Sequence, residues 1–268
     1  MGQWERREQE MKATEIQTAQ QAVEAIRQLW AGRSIRKLRA FLGELETEDD
    51  FYRLMRLTDQ ADLYTYSHLL ATQAHKRFGT LRTFTWSCAR LLETGRSLEA
   101  EGRMMGRLQG ISSANDSVEE LASAHQLLLR VFAQLNRLPE AKAQLDRYAE
   151  LKGFVWPDLE GFYFIHSGEW AEAEQVLEKV LSDEVTERSP YVRLQYADVL
   201  AMTGRQKESL DVLEHGEQIE PGTWTYRADI IRTLFFLGHY EGTLDLIAAY
   251  NEENPFHVHR PSFIYMTA

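Results

Sequence analysis

Cysteine is almost absent. Cys88 stands alone in 268 residues, which excludes an intrachain disulfide. Only six prolines occur, and runs of β-branched residues are scarce. Ala, Leu, Glu, Gln and Arg dominate instead, and these are strong helix formers. No stretch approaches the roughly 18 consecutive apolar residues that a membrane span requires. The opening residues, Met1 to Glu8, are interrupted by charge at Glu5, Arg6 and Arg7, leaving no apolar core for an export signal. Gly2 follows Met1, but Arg6 occupies the place where a myristoylation signal prefers Ser or Thr. A cytoplasmic protein without a membrane partner is the expectation.

Hydrophobic residues make up 44% and charged residues 26% of the chain, an ordinary globular composition rather than a disordered one. The net charge of −11 is unevenly spread. Residues 1–110 carry 17 basic and 15 acidic side chains, whereas residues 111–268 carry 13 and 26. An acidic half repels phosphate backbones, so nucleic acid is not expected as a partner. The same charge also serves as a solvated surface that keeps a long helical array soluble.

Three segments share one anchor: Ser167-Gly168-Glu169-Trp170, Thr203-Gly204-Arg205-Gln206 and Leu237-Gly238-His239-Tyr240. The glycines lie 36 and 34 residues apart. Asn136 holds the equivalent place 32 residues before Gly168, and Gly95 holds it less clearly 41 residues earlier still. Five residues after the anchor comes a small residue: Ala141, Ala173, Ser209 or Thr243. Nine after comes Leu145, Leu177, Leu213 or Ile247, and four before comes Phe132, Phe164, Leu200 or Leu234. Pro221 and Pro255 follow two of the anchors by seventeen residues. A turn between antiparallel helices needs a residue tolerant of positive φ, which Gly and Asn supply. The small residue allows close approach, the aliphatic residues share one helical face, and proline stops the second helix.

On these residues the chain resembles tetratricopeptide repeats. Trp170 to Leu177 is similar to the second helix of that motif, Gly161 stands where the family favours a small residue, and Trp170 and Tyr240 match its aromatic after the turn. The resemblance is good over residues 118–255 and faint before them. Gln206, Thr243 and Ile231 depart from the pattern. It implies an all-α, right-handed α-solenoid of antiparallel helix pairs. Two regions follow: a divergent helical region over 1–110, made of degenerate repeats or a cap, and repeats over 117–268, the last incomplete. Helices are expected over 14–31 and near 49–58, 61–77 and 80–94, with Ile35, Leu38, Leu42 and Leu45 facing the first. Thr47 with Asp50, and Ser117 with Glu120, read as capping boxes. Gln109 to Asp116 reads as a linker. After Pro255 and Pro261 the chain ends on Phe263-Ile264-Tyr265-Met266. A solenoid normally ends in a polar cap, so something is expected to cover these side chains or the natural chain to continue.

Chemistry-bearing patterns are few. Cys88 sits at a helical packing position without a local base, and such thiols are usually inert. His257 and His259 would face one side of an extended segment, but no further ligand lies nearby. Gly102, Gly106 and Gly110 recur without the Gly-Lys-Ser/Thr that a phosphate-cradling loop requires, and suit close packing or a fraying helix end. The Asp and Glu residues scatter without an isolated pair. No catalytic residue, metal ligand or cofactor is expected.

The resemblance implies that the first helix of each pair lines a concave groove, at positions two, three, six, nine, ten and thirteen residues before the anchor. Six before gives Arg130, Phe162, Asp198 and Arg232. Nine and ten before give Leu127, Gln126, Leu159, Asp158, Gln195, Leu194, Asp229 and Ala228, and thirteen before adds Tyr191. Chaperone-binding members of the family grip a terminal carboxylate with Lys and Asn at several such places. None of these positions holds Lys or Asn, so that clamp is not expected. The groove residues Arg130, Phe162, Tyr191, Gln195, Asp198, Asp229 and Arg232 instead suit an extended peptide or partner helix held by apolar pockets and a few ion pairs. The expected function is non-catalytic protein or peptide binding. Two alternatives stand beside it: the helical arm of a longer enzyme or sensor, and a tetratricopeptide-type peptide-pheromone receptor. DNA-binding receptors of that type carry a helix-turn-helix, which residues 1–60 do not resemble.

Overall fold

The structure is a computed structural model, and residues 45–60, 64–110, 116–182, 190–219 and 224–253 are described. Twelve α-helices and no strand occur among them. The chain divides into two compact units, Met1–Ser87 and Cys88–Ala268.

The first unit contains α1 (Glu48–Gln60), α2 (Tyr64–Phe78) and the start of α3 (Leu81–Glu93). The Thr47 backbone N–H donates to Asp50 Oδ2 at 2.8 Å and the Asp50 N–H donates to Thr47 Oγ1 at 3.2 Å, closing the expected box at the start of α1. The hydrogen bonds from Thr47 hold the Asp50 carboxyl below its ordinary range. Phe51, Leu54 and Met55 of α1 pack on Leu70, Ala71 and Ala74 of α2. Tyr52 stacks on Trp86 at 5.0 Å, and the Arg82 guanidinium lies over both rings while pairing with Asp49 at 2.8 Å.

The second unit takes in the end of α3. It continues with α4 (Ser97–Gln109), α5 (Val118–Gln134), α6 (Leu138–Lys152), α7 (Pro157–Ser167), α8 (Trp170–Leu181), α9 (Pro190–Met202), α10 (Gln206–Ile219), α11 (Trp224–Phe236) and α12 (Tyr240–Glu253). Ser117 and Glu120 form their box at the start of α5.

Five turns in this unit are built alike. Their anchors, Gly95, Asn136, Gly168, Gly204 and Gly238, all have positive φ. Each anchor N–H donates to the carbonyl three residues back. The next N–H reaches the carbonyl of the apolar residue four before the anchor, as Arg137 does to Phe132 and Arg205 to Leu200, both at 2.8 Å. These overlapping bonds satisfy carbonyls that the helix end would leave open. The register therefore extends back through Gly95, whose dependent positions Leu91, Ala100 and Met104 are all buried. A charged clasp repeats as well. Arg137 pairs with Glu140 at 2.9 Å and with Glu101 of the preceding pair at 2.7 Å; Arg205 does the same with Glu208 and Glu174. Glu101 and Glu174 each lie six residues beyond their own anchor.

Ala141 and Ala173 are buried where second helices meet first ones. A Cβ added to Gly161 would lie 2.7 Å from Leu177 Cδ2, so α7 and α8 approach almost backbone to side chain. Leu129, Leu145 and Leu159 form one core cluster; Leu177, Val192 and Val199 form the next; Ala197, Leu213 and Ile230 form a third. Each cluster draws on consecutive pairs, which is how a solenoid of helix pairs makes a continuous core.

The helix expected over 14–31, Ile35, Leu38, Leu42, Pro221, Pro255, Pro261, the His257/His259 pair and the closing aromatic segment lie outside the described residues, as do residues 111–115 of the linker. Nothing lies within 4 Å of a Cβ added to Gly102 or Gly106, so close packing does not account for them. Among the described residues, no helix is long and apolar enough to cross a membrane.

Candidate groove on the first helices

The first helices of four successive pairs, α5, α7, α9 and α11, carry all seven groove residues. They gather in two groups. In the first, the Arg130 guanidinium carbon lies 5.6 Å from the Phe162 ring centre and 4.9 Å from that of Tyr191. Arg130 forms no ion pair among the described residues, and its buried Nε has no acceptor. Burial raises the Asp158 carboxyl above its ordinary range, and the Arg130 charge opposes that rise. Burial likewise raises the Tyr191 hydroxyl.

In the second group, Arg232 bridges Asp198 at 2.7 Å and Asp229 at 3.0 Å. Burial pushes the Asp229 carboxyl up to about 6, against the pull of Arg232 and with a further push from Asp198. Asp198 is raised by burial as well, again opposed by Arg232.

Gln195 joins the groups. Tyr191, Gln195 and Asp198 follow one another at four- and three-residue spacing, so they share one face of α9. Gln195 is only 6% exposed, and no well-formed hydrogen bond reaches its Oε1 or Nε2. The neighbouring Tyr191 hydroxyl makes only a loose contact with it.

A cavity of about 620 Å³ opens beside the second group. Ile165, Trp170, Ala197, Met202, Leu213 and Phe236 give it apolar walls, with Asp198, Asp229, Arg232, Gln206 and Ser209 as polar lining. A smaller, polar hollow of about 350 Å³ lies among Glu119, Gln126, Tyr148, Lys152, Trp156 and Asp158.

Among solved structures, a tetratricopeptide repeat protein from Parabacteroides merdae matches 94% of this chain and 99% of its own, with a TM-score of 0.57 and 12% identity. The fold is that of a tetratricopeptide repeat protein. A thermophilic tetratricopeptide protein of Thermus thermophilus aligns over 82% of this chain and 99% of its own at a TM-score of 0.39 and 15% identity. The TPR2AB domain of yeast Sti1 in its pHSP90 complex aligns over 82% and 95% at 0.36 and 9%. No family model and no curated protein matches the sequence.

The tetratricopeptide register needs one correction. The position nine before the anchor was expected to line the groove, yet Leu127 and Leu159 are buried there at 5% and 1% exposure. It points into the packing between helices. Gln195 and Asp229 occupy that inward register in the later repeats, as polar residues in an otherwise apolar layer. Met202 and Phe236, two residues before their anchors, are 67% and 71% exposed and line the cavity. The offset rule covers both positions, but sequence reading did not single these side chains out. In the sequence Ser209 stands only as a small packing residue. Nothing in the sequence marks its hydroxyl as unpartnered.

Proposed function

We propose that the chain is a non-catalytic scaffold that binds an extended segment of a partner protein along α5, α7, α9 and α11. Gln195 carries this reading. A buried amide without a well-formed hydrogen bond costs free energy, because it has given up water for an incomplete replacement. A polypeptide laid along α9 that draws the Gln195 side chain out of the inter-helix layer offers a backbone N–H to Oε1 and a backbone carbonyl to Nε2, and so removes that cost on binding. Arg130, placed over two aromatic rings with Nε unpaired, supplies a positioned donor for a carbonyl or carboxylate of the same segment. Phe162 and Tyr191 supply apolar contact area with little rotamer freedom to lose.

Peptides selected from a displayed random library on the full chain test the proposal. Affinity is then compared across Gln195→Leu, Arg130→Ala and the exposed control Glu172→Lys. Loss with the first two and not the third is the expected result. Equal binding by all three, with loss on removing residues 1–60 or 256–268, would move the binding surface away from these helices.

A further inference from the structure

The cavity beside Asp198 is built by polar residues at two positions that the repeats anchored at Asn136 and Gly168 keep apolar. Asp229 stands in the register of Leu127 and Leu159. Ser209 stands in the register of Ala141 and Ala173; it is fully buried, and its Oγ has no hydrogen-bond partner. Both line the same cavity. The charged groups in its lining are Asp198 from α9 and Asp229 and Arg232 from α11; α7, α8 and α10 contribute uncharged side chains such as Trp170, Gln206 and Leu213. Two carboxylates therefore share a single guanidinium. Arg232 already bridges both, and its side chain is 44% exposed, so it is free to shift outward. With both carboxylates ionised, the cavity is one positive charge short of neutrality.

We propose that this cavity receives a lysine or arginine side chain of the bound segment, together with an apolar neighbour. The inference rests on the scaffold reading above and adds the chemistry of the guest. The aliphatic stem of such a side chain packs on the exposed faces of Met202 and Phe236, its head pairs with Asp229 and Asp198, and the Ser209 hydroxyl accepts one of its N–H bonds. A cavity of about 620 Å³ also has room for an apolar side chain beside it. An acidic segment is repelled, and a purely aliphatic one leaves two carboxylates sharing the single Arg232 charge.

The full chain is used to select from a phage-displayed library of random dodecapeptides. Enriched peptides are made with a fluorophore and titrated by anisotropy near neutral pH. The expected result is a Lys or Arg in each groove-dependent peptide, whose replacement by norleucine weakens binding roughly tenfold. Asp229→Asn should cause a similar loss, with little added when the two changes are combined. Asp229→Leu, which restores the residue type of the earlier repeats, guards against a folding defect and should also remove the preference for a cation. Acidification through about pH 6 should weaken binding to the wild type more than to Asp229→Asn, which keeps only the Asp198 carboxylate, since a proton competes with the guest for Asp229. Peptides that need Gln195 and Arg130 but tolerate norleucine and both Asp229 variants would overturn this inference and leave the scaffold reading standing. Peptides indifferent to Gln195→Leu and Arg130→Ala would overturn both.

Discussion

The Arg130 guanidinium lies over the Tyr191 ring although the two belong to different repeats, with the guanidinium carbon 4.9 Å from the ring centre. Phe162 takes the same cation at 5.6 Å, so one side chain ties three first helices together. Lysine carries the same charge without the flat delocalised surface. Arg130→Lys should therefore leave helix content unchanged and lower unfolding stability by roughly 0.5–1 kcal/mol. Urea denaturation reads the change, and an unaltered midpoint would show that the stacking contributes nothing measurable.

Gln195→Leu should stabilise the chain. Leucine fills this register in two earlier repeats, and the substitution removes an amide with no well-formed hydrogen bond from a site that is 6% exposed. We expect a gain of about 1–2 kcal/mol at an unchanged urea m-value, together with loss of peptide binding. That pairing of added stability with lost function is characteristic of polar groups kept for recognition. A destabilised variant would mean that the amide is satisfied in solution.

Gly161→Ala opposes two effects. Alanine favours a helix interior over glycine by about 1 kcal/mol. Its Cβ, however, would sit 2.7 Å from Leu177 Cδ2 and 2.9 Å from Cγ, and Leu177 is fully buried. Overpacking of this kind costs about 1–3 kcal/mol, so the net effect should be destabilising. In a Leu177→Ala background the clash is absent and Gly161→Ala should become favourable. A double-mutant cycle with no coupling would contradict the close approach of α7 and α8.

Asp229 makes stability depend on pH in an unusual direction. Its folded pKa is raised from 3.8 to about 6, so the native state binds the proton more tightly than the unfolded chain. The stabilising contribution is fully present below about pH 4 and is lost as pH rises through about 6. Asp198 acts in the same sense. Asp229→Asn removes the Asp229 contribution. Between pH 7 and 4 the stability gap between the two proteins should move in favour of the wild type by about 2 kcal/mol. Paired denaturation curves at the two pH values measure it, and a constant gap would rule out the raised pKa.

Much of the architecture was written in spacing. Asn136, Gly168, Gly204 and Gly238 recur because each turn needs positive φ, and the residues at fixed offsets from them follow from the hydrogen bonds that close the turn. Both capping boxes could be read because they are local. The groove was legible only in outline. Periodicity fixes the angle at which Leu127, Leu159 and Gln195 leave their helices, but their burial depends on neighbours contributed by other repeats. The stacking of Arg130 on Phe162 and Tyr191 was invisible for the same reason: it joins three helices that are remote in sequence. The clasps of Arg137 and Arg205 were legible in principle, since Glu101 and Glu174 stand at one offset. They are masked in the sequence because exposed Arg and Glu are common on any helix surface.

The polar layer in the later repeats bears on how the array comes apart. In a stack where each repeat leans on its neighbours, cohesion is a sum of local interfaces, and the weakest interface opens first. Leu127 and Leu159 seal the earlier interfaces, while Gln195, Ser209 and Asp229 leave polar gaps in the later ones. Backbone amides of α9, α10 and α11 should thus exchange with deuterium through partial openings that leave α5 and α6 protected until the whole unit unfolds. A guest that filled those gaps would complete the missing core and slow exchange across three helices at once, far beyond the few residues it touches.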